Sequence, residues 1–261
     1  IVSKMWEIVD SLTNGKKVLE PSVGIGRFLE NRDNNEFIAL EINKTSAKIT
    51  ELLYKNAKVK LQPLQQWFLD ESKNVEYKDN KNPNLVYENK FDVVIGNPPY
   101  QDFSGRFKGL GLGKGVQREE VYFIREGLKL TREGGILTYI IPSSFLKGMD
   151  TKTKEEISKL GELVDAYRLP EGVFDNTQVG TDIVVFRRKT SDSINTLNLV
   201  NDAWFNENPD KILGEVKTRK NKFGKEESFI EGNIENISKI KPLKNVEKPE
   251  ININNDIKSE A

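Results

Sequence analysis

Through its first two thirds, the chain alternates apolar runs too short to be helices with segments whose apolar residues recur at helical spacing. Lys17–Leu19, Glu36–Leu40, Val59–Leu61, Phe91–Ile95 and Gly135–Ile141 read as strands. Between them Val2–Leu12, Gly26–Asn31, Thr45–Tyr54 and Glu119–Leu130 read as helices, on the spacing of residues such as Ile49, Leu52 and Leu53, or Val121, Ile124 and Leu128. A helix near Thr151–Leu160 then leads to two more strands, Leu163–Tyr167 and Thr181–Arg187. This alternation predicts an α/β fold, a mainly parallel twisted sheet with helices on both faces. Ligands of such sheets sit beyond the carboxyl ends of the strands, where the strand order reverses.

Three stretches break the pattern. Asp70–Lys90 reads as a polar surface insertion, and Gln101–Gln117 as a long, glycine-rich, basic loop. After Lys189 the composition turns to Asn, Lys and Glu, with one amphipathic patch at Ala203–Leu213 and little order expected over Lys244–Ala261. The expected organisation is an α/β domain over 1–190 and a partly disordered C-terminal extension over 191–261. The chain opens with Ile1 inside a helical pattern, as a piece of something longer would.

Composition narrows the chemistry. With no cysteine and no histidine, disulfide scaffolds, Cys/His zinc sites, thiol nucleophiles and imidazole mechanisms are closed, and no metal is expected. Lys+Arg and Asp+Glu stand at 40 each, so a polyanionic partner must be met by a local patch. The longest apolar run, around Ile136–Ile141, is far below the ~20 residues that cross a bilayer, and no signal segment opens the chain. The expected location is the cytoplasm, without membrane contact.

Two motifs carry the functional information. Val18-Leu19-Glu20-Pro21-Ser22-Val23-Gly24-Ile25-Gly26-Arg27-Phe28 reads as a strand, a glycine turn and a helix start, where backbone can approach a ligand closely. Leu29 replaces the third glycine of a dinucleotide fingerprint, and Gly113-Lys114-Gly115 lacks the Ser/Thr of a phosphate-binding loop. Glu41 closes the next strand about 20 residues on, where a carboxylate can accept from ribose hydroxyls. The second motif is Phe91-Asp92-Val93-Val94-Ile95-Gly96-Asn97-Pro98-Pro99-Tyr100. Two prolines cannot continue a central strand, so the chain must turn out at Asn97.

Together these motifs resemble the N6-adenine DNA methyltransferases of the gamma motif order, with a Rossmann-like, S-adenosylmethionine-dependent fold. The resemblance covers roughly 1–190 and is nearest to large methylases of restriction systems and mobile elements. It implies S-adenosylmethionine as cofactor, held by Glu20, Pro21, Gly24, Gly26, Glu41, Ile42 and Asn97, and a catalytic set of Asn97, Pro98 and Tyr100. Leu169-Pro170-Glu171-Gly172-Val173-Phe174-Asp175 is similar to the family's late motif, making Phe174 a second base-stacking residue beside Tyr100. DNA is the implied partner, with Arg106, Lys108, Lys114 and Arg118 on its backbone. Trp204-Phe205 and Asn208–Glu215 also have counterparts in those large methylases.

The residues suit that chemistry. An exocyclic amine is a poor nucleophile because its lone pair is delocalised into the ring. The Asn97 side-chain oxygen and the Pro98 carbonyl can accept its two hydrogens, and Tyr100 offers a stacking face to a flipped-out base. Three features depart from the family. An aromatic-x-Thr-Pro-like segment upstream of the first helix is not in this chain. Leu64-Gln65-Gln66-Trp67 stands where the third strand would end near an Asp that binds the cofactor adenine, and a Gln amide could make the same bond. The residues after Lys189 are few for a full target-recognition domain, so specificity is expected from other domains of a parent protein or from a separate specificity subunit. Adenine in RNA, cytosine N4 and a protein glutamine remain alternative amines. A non-catalytic DNA-binding or scaffold module retaining the fold is the alternative of another class. The cluster Lys217, Arg219, Lys220, Lys222 and Lys225 reads as a solvated turn, with contact to a nucleic-acid backbone as the alternative.

Overall fold

The computed structural model describes all residues except 14–15, 65–90, 102–117, 175–178, 190–196, 222 and 244–261, together with the side chains of 11–13 and 197. Its centre is a seven-stranded sheet of β1 (Lys17–Glu20), β2 (Glu36–Glu41), β3 (Ala57–Leu61), β4 (Phe91–Gly96), β5 (Thr131–Pro142), β6 (Gly161–Arg168) and β7 (Thr181–Arg188), in the order β3-β2-β1-β4-β5-β7-β6. The pairs β2–β3, β1–β2, β1–β4 and β4–β5 are parallel, whereas β7 runs antiparallel between β5 and β6. Strand order reverses between β1 and β4, so the ligand crevice of this topology lies over the ends of those two strands.

The sheet is covered on both faces, and its sequence shows why. Along β1 and β4, Leu19 and Val94 point into one core with Tyr122, Ile124, Leu128 and Ile157, from α3 (Glu119–Leu130) and α5 (Thr151–Leu160). Their neighbours Val18, Val93 and Ile95 point into the other, with Met5, Trp6, Ile8 and Val9 of α1 (Val2–Thr13). Central strands buried on both faces are mostly apolar, and β5 is buried without a break from Gly135 to Pro142. Local signals agree: the Asn43 side chain accepts from the Thr45 and Ser46 N–H groups (2.9 and 3.0 Å), starting α2 (Lys44–Leu53). Acidic Glu119 and Glu120 open α3, and Lys129 closes it.

One expected helix is corrected. Gly26–Asn31 does not form an α-helix; only a 3-10 turn spans Arg27–Leu29. Gly24, Gly26 and Asn31 all have positive φ (56°, 88° and 58°), which breaks the right-handed path. Phe28 and Leu29 instead anchor the segment in the α1-side core. The helix N-terminus expected behind the glycine turn is therefore a single tight turn.

The residues beyond 196 pack on this sheet. After α4 (Ser144–Lys147) and α6 (Ala203–Glu207) come a β8–β9 hairpin (Glu215–Lys220 and Glu226–Glu231) and a 3-10 segment at Ile234–Lys239. Phe205 enters one core; Leu213, Ile237 and Ile240 enter the other, and the Leu243 N–H donates to the Ile8 carbonyl (2.9 Å). The core thus draws on residues on both sides of the boundary expected at 190. Among the described residues no helix is long and apolar enough to cross a membrane.

Candidate active site

Both motifs arrive at the crevice where strand order reverses. β1 ends on Glu20 and β4 ends on Gly96, and a side chain at Gly96 would meet the Glu20 carboxyl oxygen at 2.5 Å. Glycine is what lets the end of β4 close on β1. Glu20 is 1% exposed, and its Oε1 accepts from the Ser22 N–H (3.0 Å). Burial pushes its carboxyl up to about 8, against the lowering by the Ser22 backbone and hydroxyl and with a small push from Glu41. Pro21 is buried beside it.

The glycine turn divides its two glycines between two tasks. A side chain at Gly24 would meet nothing within 4 Å, so this residue borders open space. At Gly26 it would strike the Tyr54 ring at 2.3 Å, so that glycine serves the packing of Tyr54 and Thr50. Glu41 holds the turn: its carboxylate accepts from the Gly24 N–H (2.8 Å) and the Asn43 N–H (2.6 Å). A carboxylate has about four acceptor positions, which leaves room for a ligand. Ile42, next along, is 74% exposed.

Asn97 follows β4 with its side chain exposed, while Pro98 is buried behind it. Ser22 Oγ donates to the Asn97 carbonyl (3.3 Å), tying the glycine turn to the Asn-Pro-Pro turn. The Tyr100 hydroxyl reaches both Asn97 Oδ1 and the Ile140 carbonyl, the latter at 3.1 Å. Burial pushes that hydroxyl well above the usual tyrosine range, with the Glu120 charge adding to it, so it stays protonated.

Other expected residues stand apart. Phe174 is half-buried on a cleft of about 500 Å³ that it shares with Trp6, Arg27 and Val173. Tyr100 is not among the described residues lining that cleft, so the two expected stacking faces do not meet in one cavity. Arg118 pairs with the buried Glu120 (2.8 Å) at the start of α3. Arg106, Lys108 and Lys114 lie outside the described residues. The basic cluster after Glu215 is corrected in part. The cluster holds no acid of its own, but the facing strand and the segment after β6 supply them: Lys217 pairs with Glu231, and Arg219 with Glu171 (2.6 Å) and Glu227 (2.8 Å).

Two residues were missed in the sequence. Ser22 was hidden because its role depends on β1 and β4 being neighbours. Sequence spacing points to Gln65 and Gln66, which lie outside the described residues, rather than to Gln62. β3 ends at Leu61, so Gln62 is the first residue beyond it, and its buried Nε2 has no hydrogen-bond partner among the described residues. A buried amide without a partner at this edge is a candidate donor to a ligand.

This mainly parallel sheet, covered by helices, matches the fold of S-adenosylmethionine-dependent methyltransferase structures. The fold resembles a modification subunit of a putative type I restriction enzyme from Vibrio vulnificus (TM-score 0.57, 21% identity, 72% of this chain and 43% of that one). It also resembles a putative class I S-adenosylmethionine-dependent methyltransferase from Listeria monocytogenes (TM-score 0.52, 19% identity, 74% and 59%). Residues 33–174 match the Eco57I restriction-modification methylase model, and the chain belongs to that family. It is 28% identical over 211 residues to the defense against restriction protein B of Escherichia phage P1, covering 78% of this chain. A putative type II restriction enzyme and methyltransferase of Methanocaldococcus jannaschii is 33% identical over 110 residues, 40% of this chain. The chain spans about a tenth of the length of these curated relatives, 9% in each case.

Proposed function

We propose that the chain transfers a methyl group from S-adenosylmethionine to the exocyclic N6 amine of an adenine flipped out of DNA. The observation that carries this reading is the exposed Asn97 just past the carboxyl end of β4, its backbone carbonyl tied through Ser22 Oγ to the glycine turn. The cofactor, when bound, supplies an electrophilic methyl group. The residues present fit it: open space at Gly24, a carboxylate at Glu41, an exposed apolar face at Ile42 and an unsatisfied amide at Gln62. Glu41 would accept from the ribose hydroxyls, and Gln62 would serve the adenine edge.

Asn97 Oδ1 and the Pro98 carbonyl would accept the two amine hydrogens, localising the nitrogen lone pair for in-line attack. The Tyr100 hydroxyl has one proton and two acceptors within reach. It can therefore keep the Ile140 carbonyl while Asn97 Oδ1 turns to the amine. The Tyr100 ring would stack on the base, with Phe174 as its second face if that loop turns toward the pocket. Residues 1–190 would form the catalytic unit and 191–261 a partly disordered extension, from which Phe205, Leu213, Ile237 and Ile240 join its core. Recognition of a particular DNA sequence would come from the rest of a longer protein or from a specificity subunit. The expected basic loop, with Arg106, Lys108 and Lys114, would lie on the DNA backbone.

The test is transfer of a tritiated methyl group to unmethylated DNA, followed by nucleoside analysis. The expected product is N6-methyladenosine in its deoxy form. Label recovered on cytosine, on RNA alone or on protein would replace the substrate in this reading.

A further inference from the structure

At the end of the β8–β9 hairpin, hydrogen bonds tie Asn221 to the described residues that follow it. The Asn221 N–H donates to the Lys225 carbonyl and the Gly224 N–H to the Asn221 carbonyl, both at 2.8 Å. Asn221 Oδ1 accepts from the Phe223 N–H (2.9 Å) and the Lys225 N–H (3.1 Å). Gly224 sits at φ +75°, which a side chain would oppose. Phe223, between these bonded residues, is 76% exposed.

Charge is distributed unevenly along the same ribbon. Arg219 and Lys217 are taken up by Glu171, Glu227 and Glu231, which fasten the ribbon. At the tip, exposed Lys220 and Lys225 close no ion pair with the described carboxylates, although Glu226 stands opposite Lys220 in the ladder. Among the described residues, these two lysines flank the exposed ring without an ion-pair partner.

The ribbon is mounted on the edge of the sheet that carries Asn97. Its approach is fixed by the Leu213 N–H on the Arg168 carbonyl at the end of β6, and by the Glu171 N–H on the Ile230 carbonyl (both 2.9 Å). Further along, Lys147, just past the end of β5, donates to Ser228 Oγ (3.3 Å). β6 lies three strands from β4, about 15 Å at the usual strand spacing, well within one ~34 Å turn of duplex.

We propose that this hairpin docks on duplex DNA beside the flipped-out base, with Phe223 as an apolar contact to the bases and Lys220 and Lys225 on phosphates. A two-stranded ribbon fits a major groove, and exposed aromatic side chains stack on or wedge between bases. The proposal rests on the DNA-methylase reading.

Binding of a fluorescein-labelled duplex to the full 261-residue chain, followed by anisotropy across a salt series, tests it. Phe223→Ala should weaken duplex binding by about tenfold while leaving affinity for S-adenosylhomocysteine unchanged. Lys220→Ala with Lys225→Ala should flatten the salt slope by roughly two. Phe223→Trp should keep its affinity, and its fluorescence should change when duplex is added. If wild type binds duplex and the alanine variants match it in affinity and slope, the ribbon proposal is overturned alone. If wild type binds no duplex, the ribbon and the DNA reading fall together.

Discussion

At the scale of single residues, the crevice relies on groups whose environments are set by neighbours distant in sequence. Gly24→Val would place a β-branched side chain at φ +56° and fill the open space there. Glu41→Ala would release the Gly24 N–H and remove the expected ribose acceptor. Each should weaken S-adenosylmethionine binding severalfold or more by calorimetry; affinity like wild type in both would move the cofactor elsewhere. Glu20 makes a separate prediction. Its folded carboxyl titrates at about 8 against an ordinary 4.5, so the folded state holds a proton that the unfolded chain has given up in between. Its contribution to stability should therefore be greatest below the lower value, fall as pH rises and level off above the upper one, by at most about 4–5 kcal/mol. Glu20→Gln stays neutral and should lack this slope. Urea unfolding of both proteins from acid to mildly alkaline pH measures the difference, and parallel curves would show that Glu20 is ionised at neutral pH.

At the scale of elements, the late strands are held by a buried charge cluster. Arg168, at the end of β6, donates to both oxygens of Asp182 on β7 (2.9 and 3.0 Å) and to Asp202 before α6 (2.7 and 2.8 Å). Asp182 is fully buried and also accepts from Ser143 Oγ (2.7 Å). Arg168→Ala should cost about 3–5 kcal/mol in urea unfolding, because it leaves Asp182 buried without its cation; a loss under about 1 kcal/mol would mean that water replaces the guanidinium. The elements themselves were legible where apolar pattern alone decides them. α3 spans the expected Glu119–Leu130, and each expected strand lies within an observed one. The helix expected at Gly26–Asn31 failed because apolar spacing in Phe28 and Leu29 cannot report the positive φ of the residues around them. The hairpin was missed because its strands are charged and exposed, and their acids are neighbours only across the ladder.

At the scale of the whole molecule, the sheet gathers the glycine turn, the Asn-Pro-Pro turn, Gln62 and the base of the hairpin along one carboxyl edge. The two motifs were legible because each couples a strand end to residues that break a strand. The Ser22 link and the buried Gln62 amide were not, since they depend on strand order and on which residues pack around the end of β3. Nor could the sequence foretell that Leu213, Ile237 and Ile240 complete the core under α1. What joins these features is the claim that Asn97 polarises an amine presented at that edge. Asn97→Ala tests it most directly, with methyl transfer to DNA and cofactor affinity measured on the same preparation. Transfer should fall by at least about a hundredfold, the scale of losing one positioned transition-state partner, with cofactor affinity nearly intact. Transfer near the wild-type rate would contradict the account and leave Asn97–Tyr100 a turn that ends β4.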